Sequence, residues 1–140
     1  MSLNISLYRK YHISYDNCKT WEERLEEVYE GNITHNLVPI STKCGLYEPL
    51  WRPHRTVKGY NIREEDHELE WEFEDQVTMY ARDIIHLVED GLKELEFKPE
   101  EYKKLNPSND WGSYESLVNF TKEYLNALKT YPESIIKTSR

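Results

Sequence analysis

At 140 residues the chain fits one domain, long enough to bury roughly two thirds of its unfolded surface without needing disulfides or metal. Its 26 acidic against 18 basic residues give a net charge of −8, which repels a polyanion over most of the surface and argues against non-specific DNA or RNA binding. Two cysteines without CxxC spacing, no signal-peptide pattern and no apolar run of transmembrane length point to a cytoplasmic protein with Cys18 and Cys44 as free thiols.

The apolar content is low at 38%, but four Trp, eleven Tyr and three Phe supply large buried areas with polar edges. Ile5, Leu7, Tyr11, Ile13 and Tyr15 recur at period two and predict a half-buried strand or hairpin at the start. Thr20 and Glu23 have capping-box spacing, and Trp21, Leu25, Val28 and Tyr29 share one helical face, so a helix is expected over residues 21–30, ending at Gly31. Thr34 reads as the cap of a second helix carrying Leu37, Ile40 and Cys44, with Pro39 in its first turns and Gly45 as its stop. Between residues 46 and 60, Pro49, Pro53 and Gly59 break any period, leaving a loop with one short helical turn around residues 47–51.

Phe73, Val77, Tyr80, Ala81, Ile84, Ile85, Val88, Leu92 and Leu95 then form one wide apolar stripe, predicting a long helix over residues 65–96. Pro99 opens a short helix through Leu105, and Asn106-Pro107 ends it. Ser113 caps a final helix with Leu117, Val118, Phe120, Tyr124, Leu125 and Leu128 on its inner face, closing before Pro132. The β-branched tail, residues 135–139, can pair with the first strand. The expectation is a single α+β domain, residues 1–140, predominantly α-helical, with a small two-stranded sheet formed by the chain termini.

Three segments at element ends carry side chains that bind things. Asn32, Thr34, His35 and Asn36 surround a predicted helix N-terminus, where free N–H groups suit a phosphate or carboxylate; the alternative is that they only cap and turn. Trp51, Arg52, His54 and Arg55 could stack a ring and fork a phosphate, or the arginines could pair with the acidic helix that follows. Trp111 and Tyr114 lie in the turn before the last helix, and the ten residues together are expected to converge on one cleft, with Trp111 as a mere plug onto the core as the plainer alternative. Glu68 and Glu72, with His67 beside them, have cation-sharing spacing, yet acidic first turns complement a helix dipole, so no metal and no cofactor is expected. Cys44 falls on an apolar face and reads as an inert thiol rather than a nucleophile. No GxSxG, P-loop or Rossmann glycine pattern is present.

The segments Gly31-Asn32-Ile33-Thr34-His35-Asn36, with Ile40 beyond, and Asn106-Pro107-Ser108-Asn109-Asp110-Trp111-Gly112-Ser113-Tyr114 resemble a family of small uncharacterised bacteriophage and prophage proteins. Its pattern is close to GNxTxN early and NPxNxWGxY late; Asp110 stands where such relatives more often carry glycine. The resemblance covers about half the chain and implies a phage or mobile-element context and a compact, mainly helical fold, with no reaction assigned.

No complete catalytic set is present, so the expected role is a non-catalytic accessory module that binds a host protein or a small anionic, nucleotide-like ligand. The competing readings are a hydrolase of a phosphate or acyl compound with His35 or His54 as general base, and an acidic anti-restriction-type nucleic-acid mimic using Glu68, Glu72 and Asp75. An aromatic amphipathic surface also allows a homodimer.

Overall fold

Leu3, Ile5 and Leu7 alternate with Ser2, Asn4 and Ser6, and this period of two builds β1, Ser2–Ile13, with the three apolar side chains fully buried. In the computed structural model, which describes residues 1–140, β1 is the centre of a three-stranded antiparallel sheet ordered β2-β1-β3. Its partners are β2, Glu22–Thr34, and β3, Ile135–Ser139. The C-terminal strand pairs with β1 as anticipated, but the expected two-stranded sheet is corrected: the chain is 51% helix and 22% strand, and the third strand is the segment read as a helix over residues 21–30.

The reason for that misreading is local. A β-bulge falls where β1 passes from Leu7 to Tyr8, so that Leu7 faces Tyr29 while Tyr8 faces Glu27. Val28 is the extra residue, and the adjacent half-buried pair Val28-Tyr29 mimics a helical face. Cross-strand charges favour the strand as well: Arg9 pairs with Glu26, and Lys10 lies 3.5 Å from Glu23.

Beyond the sheet, Thr34 Oγ1 accepts the Asn36 N–H and opens a 3₁₀ turn, His35–Leu37, which runs into α1, Val38–Cys44. Gly45, at φ +87°, ends α1 in the left-handed conformation that favours glycine. The expected single turn is α2, Tyr47–Trp51, followed by a 3₁₀ turn at Pro53–Thr56.

The long helix expected over residues 65–96 is two helices, α3, His67–Gln76, and α4, Ala81–Phe97. Between them the chain is extended, because the edge of β3 captures it: the Ile136 N–H donates to Met79 O, and Tyr80 bridges Ile135. The start of α4 is fixed by the same turn, with the Ala81 and Arg82 N–H groups donating to Ser134 O and Pro132 O, and with Asp83 accepting the Tyr80 N–H. A continuous apolar stripe therefore spans a break that only the neighbouring strand imposes.

Helix α5, Pro99–Lys103, and α6, Tyr114–Thr130, complete the fold, the latter opened by a reciprocal Ser113–Ser116 cap. The α4–α6 pair is the most extensive helix contact. The sheet lays Leu3, Ile5, Leu7, Ile33 and Ile136 into the same core, with Tyr29 against Tyr124 at 5.6 Å between ring centroids. The other sheet face carries Asn4, Ser6, Asn32 and Lys137, the one-sided solvation expected of an antiparallel sheet.

Gly91 in α4 is buried, and a side chain there would run into Leu46, which is itself fully buried. Helix propensity alone favours alanine over glycine by about 1 kcal/mol. Overpacking costs about 1–3 kcal/mol and opposes it. Gly91→Ala should therefore lower stability by about 1 kcal/mol in urea unfolding. A gain in stability would show that the Leu46–Gly91 contact is looser than described.

Candidate functional site

Trp51 anchors the end of α2 in the core at 2% exposure, and Tyr47 stacks on it with rings 6.0 Å apart. Pro53 starts the next 3₁₀ turn, which Thr56 Oγ1 closes by donating to Pro53 O. This rigid corner turns Arg52, His54 and Arg55 toward one side. Helix α3 lies across it and presents Glu70, its one buried residue, at 2% exposure.

All three side chains converge on that carboxylate. Arg55 donates through Nε at 2.7 Å and Nη2 at 3.1 Å, Arg52 through Nη1 at 3.2 Å, and His54 through Nε2 at 2.8 Å. An ionised carboxylate has room for these four donors and no proton to offer, so Nε2 carries the hydrogen in this pair. The Arg55 fork holds the Glu70 carboxyl far below the ordinary carboxylate range against the opposing effect of burial, with His54 adding to it. Glu70 in turn raises Arg55.

One turn along α3, Glu74 forms a second fork with Arg140, both contacts at 2.7 Å, and Arg140 also donates to Trp51 O at 3.0 Å. Burial raises the Glu74 carboxyl, but the Arg140 fork outweighs it and the net shift is downward. His54 Nδ1, buried and without a hydrogen bond, lies 3.7 Å from Glu74 Oε1. A cleft of about 260 Å³ beside it is lined by His54, Glu74, Val77, Met79, Ile136 and Thr138 among others.

The arginines expected to meet a phosphate are thus engaged by a carboxylate from the same chain, the alternative pairing with the acidic helix. Cationic charge here is spent internally.

The other expected site residues lie elsewhere. Asn32 sits on the solvated sheet face and donates to Ser2 and Asn4, across the sheet from the helices. Thr34 caps, His35 packs 6.3 Å from the Trp51 ring, and Asn36 Nδ2 donates to Trp111 O at 3.3 Å. The early and late motifs therefore meet, a contact tightened by Gly112, where a side chain would collide with Thr34.

Tyr114 is buried, its hydroxyl donating to Leu95 O at 2.7 Å and its N–H to Asn106 Oδ1. Trp111 is 72% exposed, so it neither plugs the core nor walls a pocket with Trp51. Of the ten residues only His54 lines the cleft beside α3; Arg52, His54 and Arg55 meet at Glu70, Asn36 meets Trp111, and Asn32 lies on the solvated sheet face. Asp110, at φ +58°, adopts the left-handed conformation that glycine takes without cost.

Glu68 and Glu72 are exposed, and no group of three or more His, Cys, Asp or Glu side chains is gathered as a metal site requires. Burial pushes the Cys44 thiol up to about 11, which suppresses the thiolate. No helix is long and apolar enough to cross a membrane.

What the sequence reading missed is the outer half of the β1–β2 hairpin. From Arg9 outward on β1 and up to Glu27 on β2, only Ile13 is even partly covered, and Tyr15 and Trp21 at the tip are 73% and 58% exposed. Tyr11 and Leu25 are exposed as well. The signal was present in the period-two run Tyr11, Ile13, Tyr15, which continues the core stripe of β1 past the core itself.

No protein-family model, curated protein or solved structure matches the chain.

Glu70→Gln removes the charge that answers Arg52 and Arg55 while keeping the shape. It should cost about 3–5 kcal/mol in denaturant unfolding near neutral pH, the range for breaking a buried ion pair. Because the folded carboxyl titrates below its ordinary value of 4.5, its contribution is complete above that pH and is lost as pH falls through the folded value. The native protein should therefore lose stability on acidification below pH 4.5 with a component that the Gln variant lacks. Identical acid slopes in the two proteins would contradict this account.

Proposed function

We propose that the protein is a non-catalytic module that engages a host protein through its β1–β2 hairpin arm. The observation that carries this reading is the arm itself: a two-stranded extension beyond the core with Tyr11, Tyr15, Trp21 and Leu25 left in solvent. An isolated two-stranded hairpin is marginal in water, and tyrosine and tryptophan are the side chains that dominate binding energy at interfaces. The tip is shaped rather than loose. Asp16 accepts from the Thr20 N–H and hydroxyl at 2.8 and 2.7 Å, and Ser14 accepts the Cys18 N–H.

The small-anion form of the binding reading has less behind it, since Arg52 and Arg55 are occupied by Glu70. A phage or mobile-element setting, drawn from the early and late motifs, fits an accessory that acts by occupying a host protein.

A second reading, a hydrolase with His54 as general base, has one observation in its favour. Glu70 fixes Nε2–H and leaves Nδ1 unpaired beside a cleft, the orientation a carboxylate gives a catalytic imidazole. It takes second place because Glu74 Oε1 stands 3.7 Å from Nδ1, and no activated nucleophile accompanies it.

The arm reading is tested by a photo-crosslinking amino acid placed at Tyr15 or Trp21, with Phe97, 80% exposed, as the off-arm control. Irradiation in the host should trap one and the same host protein from both arm positions and not from Phe97. Adducts of equal yield from all three positions, or none from the arm, would falsify the reading.

A further inference from the structure

We infer that the free edge of β2 accepts an extended, basic segment of the partner as a fourth strand, a deepening that rests on the arm reading above. In the order β2-β1-β3, one side of β1 serves β2 and the other serves β3, so the outward edge of β2 has no strand beside it. No backbone group within β2 is hydrogen-bonded on that side: bonds outside the ladders involve none of its residues from Glu22 to Ile33. This leaves a long template for strand addition, uncovered by any other strand and interrupted only by the bulge at Val28.

The side chains along the edge select the occupant. The register places Glu27, Leu25 and Glu23 opposite Tyr8, Lys10 and His12, and Glu30 opposite Ser6, all on the solvated face. This row reads carboxylate, carboxylate, apolar, carboxylate. Glu23 is partly answered by Lys10, while Glu27 and Glu30 have no cation within ion-pair distance and are exposed. Over the whole strand five glutamates stand against one arginine, Arg24, itself held by Glu22.

A second copy added through the same edge would set carboxylates against carboxylates, which is destabilising for directly opposed residues. An added strand carrying Lys or Arg at alternate positions, with one apolar residue beside Leu25, would instead meet each carboxylate across about 5 Å. The bulge at Val28 bends the strand between Glu30 and Glu27, so the occupant crosses from the body of the sheet onto the arm.

The probe is a synthetic peptide of about nine residues with Lys alternating with Thr and one central Val, a length and pattern that suit one strand. Amide hydrogen exchange of β2 is followed by NMR. At saturating peptide, alternate amides within residues 23–30 should exchange at least tenfold more slowly, an effect weakened by salt, as exposed charge pairs are. The Glu counterpart of the peptide, and one with proline at its centre, should give no slowing. Glu27→Lys with Glu30→Lys should abolish the slowing while leaving the melting temperature unchanged, because neither carboxylate is in an ion pair.

Unchanged exchange with the Lys peptide, slowing by the Glu peptide, or slowing that survives in the double variant each overturns strand addition. If exchange is unchanged while the Tyr15 and Trp21 resonances shift, strand addition falls and the arm reading stands. Failed cross-linking from the arm tip overturns the arm reading whatever the peptide does.

Discussion

A single buried carboxylate holds together the least regular half of this protein. Glu70 is the one residue of α3 that is fully removed from solvent, and it receives hydrogen bonds from Arg52, His54 and Arg55. Without these donors, burying the charge would cost several kcal/mol; with them, the corner that follows α2 and the whole of α3 have one relative position. Apolar packing contributes less here than elsewhere. Phe73 beside Tyr60 and His54 is the main aromatic contact, while Leu69 and Trp71 face outward. The Glu74–Arg140 fork then ties the same helix to the residue that follows β3.

That arrangement explains why an array of cations and a histidine beside a tryptophan is a structural joint. The charges that make such a loop attractive for phosphate are the charges that a helix needs in order to keep a carboxylate inside. Geometry distinguishes the two uses, since a phosphate site requires the donors to converge on open space and here they converge on Glu70. His54 Nδ1 is left without a hydrogen bond, as are Trp51 Nε1 and His35 Nε2 nearby.

At the opposite extreme stands the hairpin arm, where charge pairs lie on the surface and little is buried. Arg9–Glu26 and Lys10–Glu23 are exposed, and pairs of this kind contribute about 0–1 kcal/mol each. The arm's inner half is secured by Leu3, Ile5 and Leu7, and its outer half inherits order from the ladder. Such a division lets a rigid base present a surface whose aromatic rings stand in solvent, with only the Tyr15 hydroxyl engaged, by Arg24.

Local chemistry carried much of the fold in the sequence itself. Ser113 as a cap, Gly45 as a stop, the turn at α2 and the start at Pro99 rest on neighbours a few residues away and formed as read, while Thr34 caps a 3₁₀ turn that leads into α1 rather than α1 itself. The tail also pairs with β1, although that contact joins opposite ends of the chain. Of the site, the sequence singled out Arg52, His54 and Arg55 and allowed their pairing with the acidic helix. It did not single out Glu70, because one glutamate in a run of glutamates has no local mark; its distinction is the cations brought to it from a distant loop. The helix expected over residues 21–30 became a strand because β1 offers a ladder and opposite charges, and the long helix broke at residues 77–80 because β3 claims the Met79 carbonyl. Periodicity reports which side chains are apolar, whereas the backbone's hydrogen-bond partners, and the face to which a buried charge turns, are fixed only when segments far apart in the chain meet.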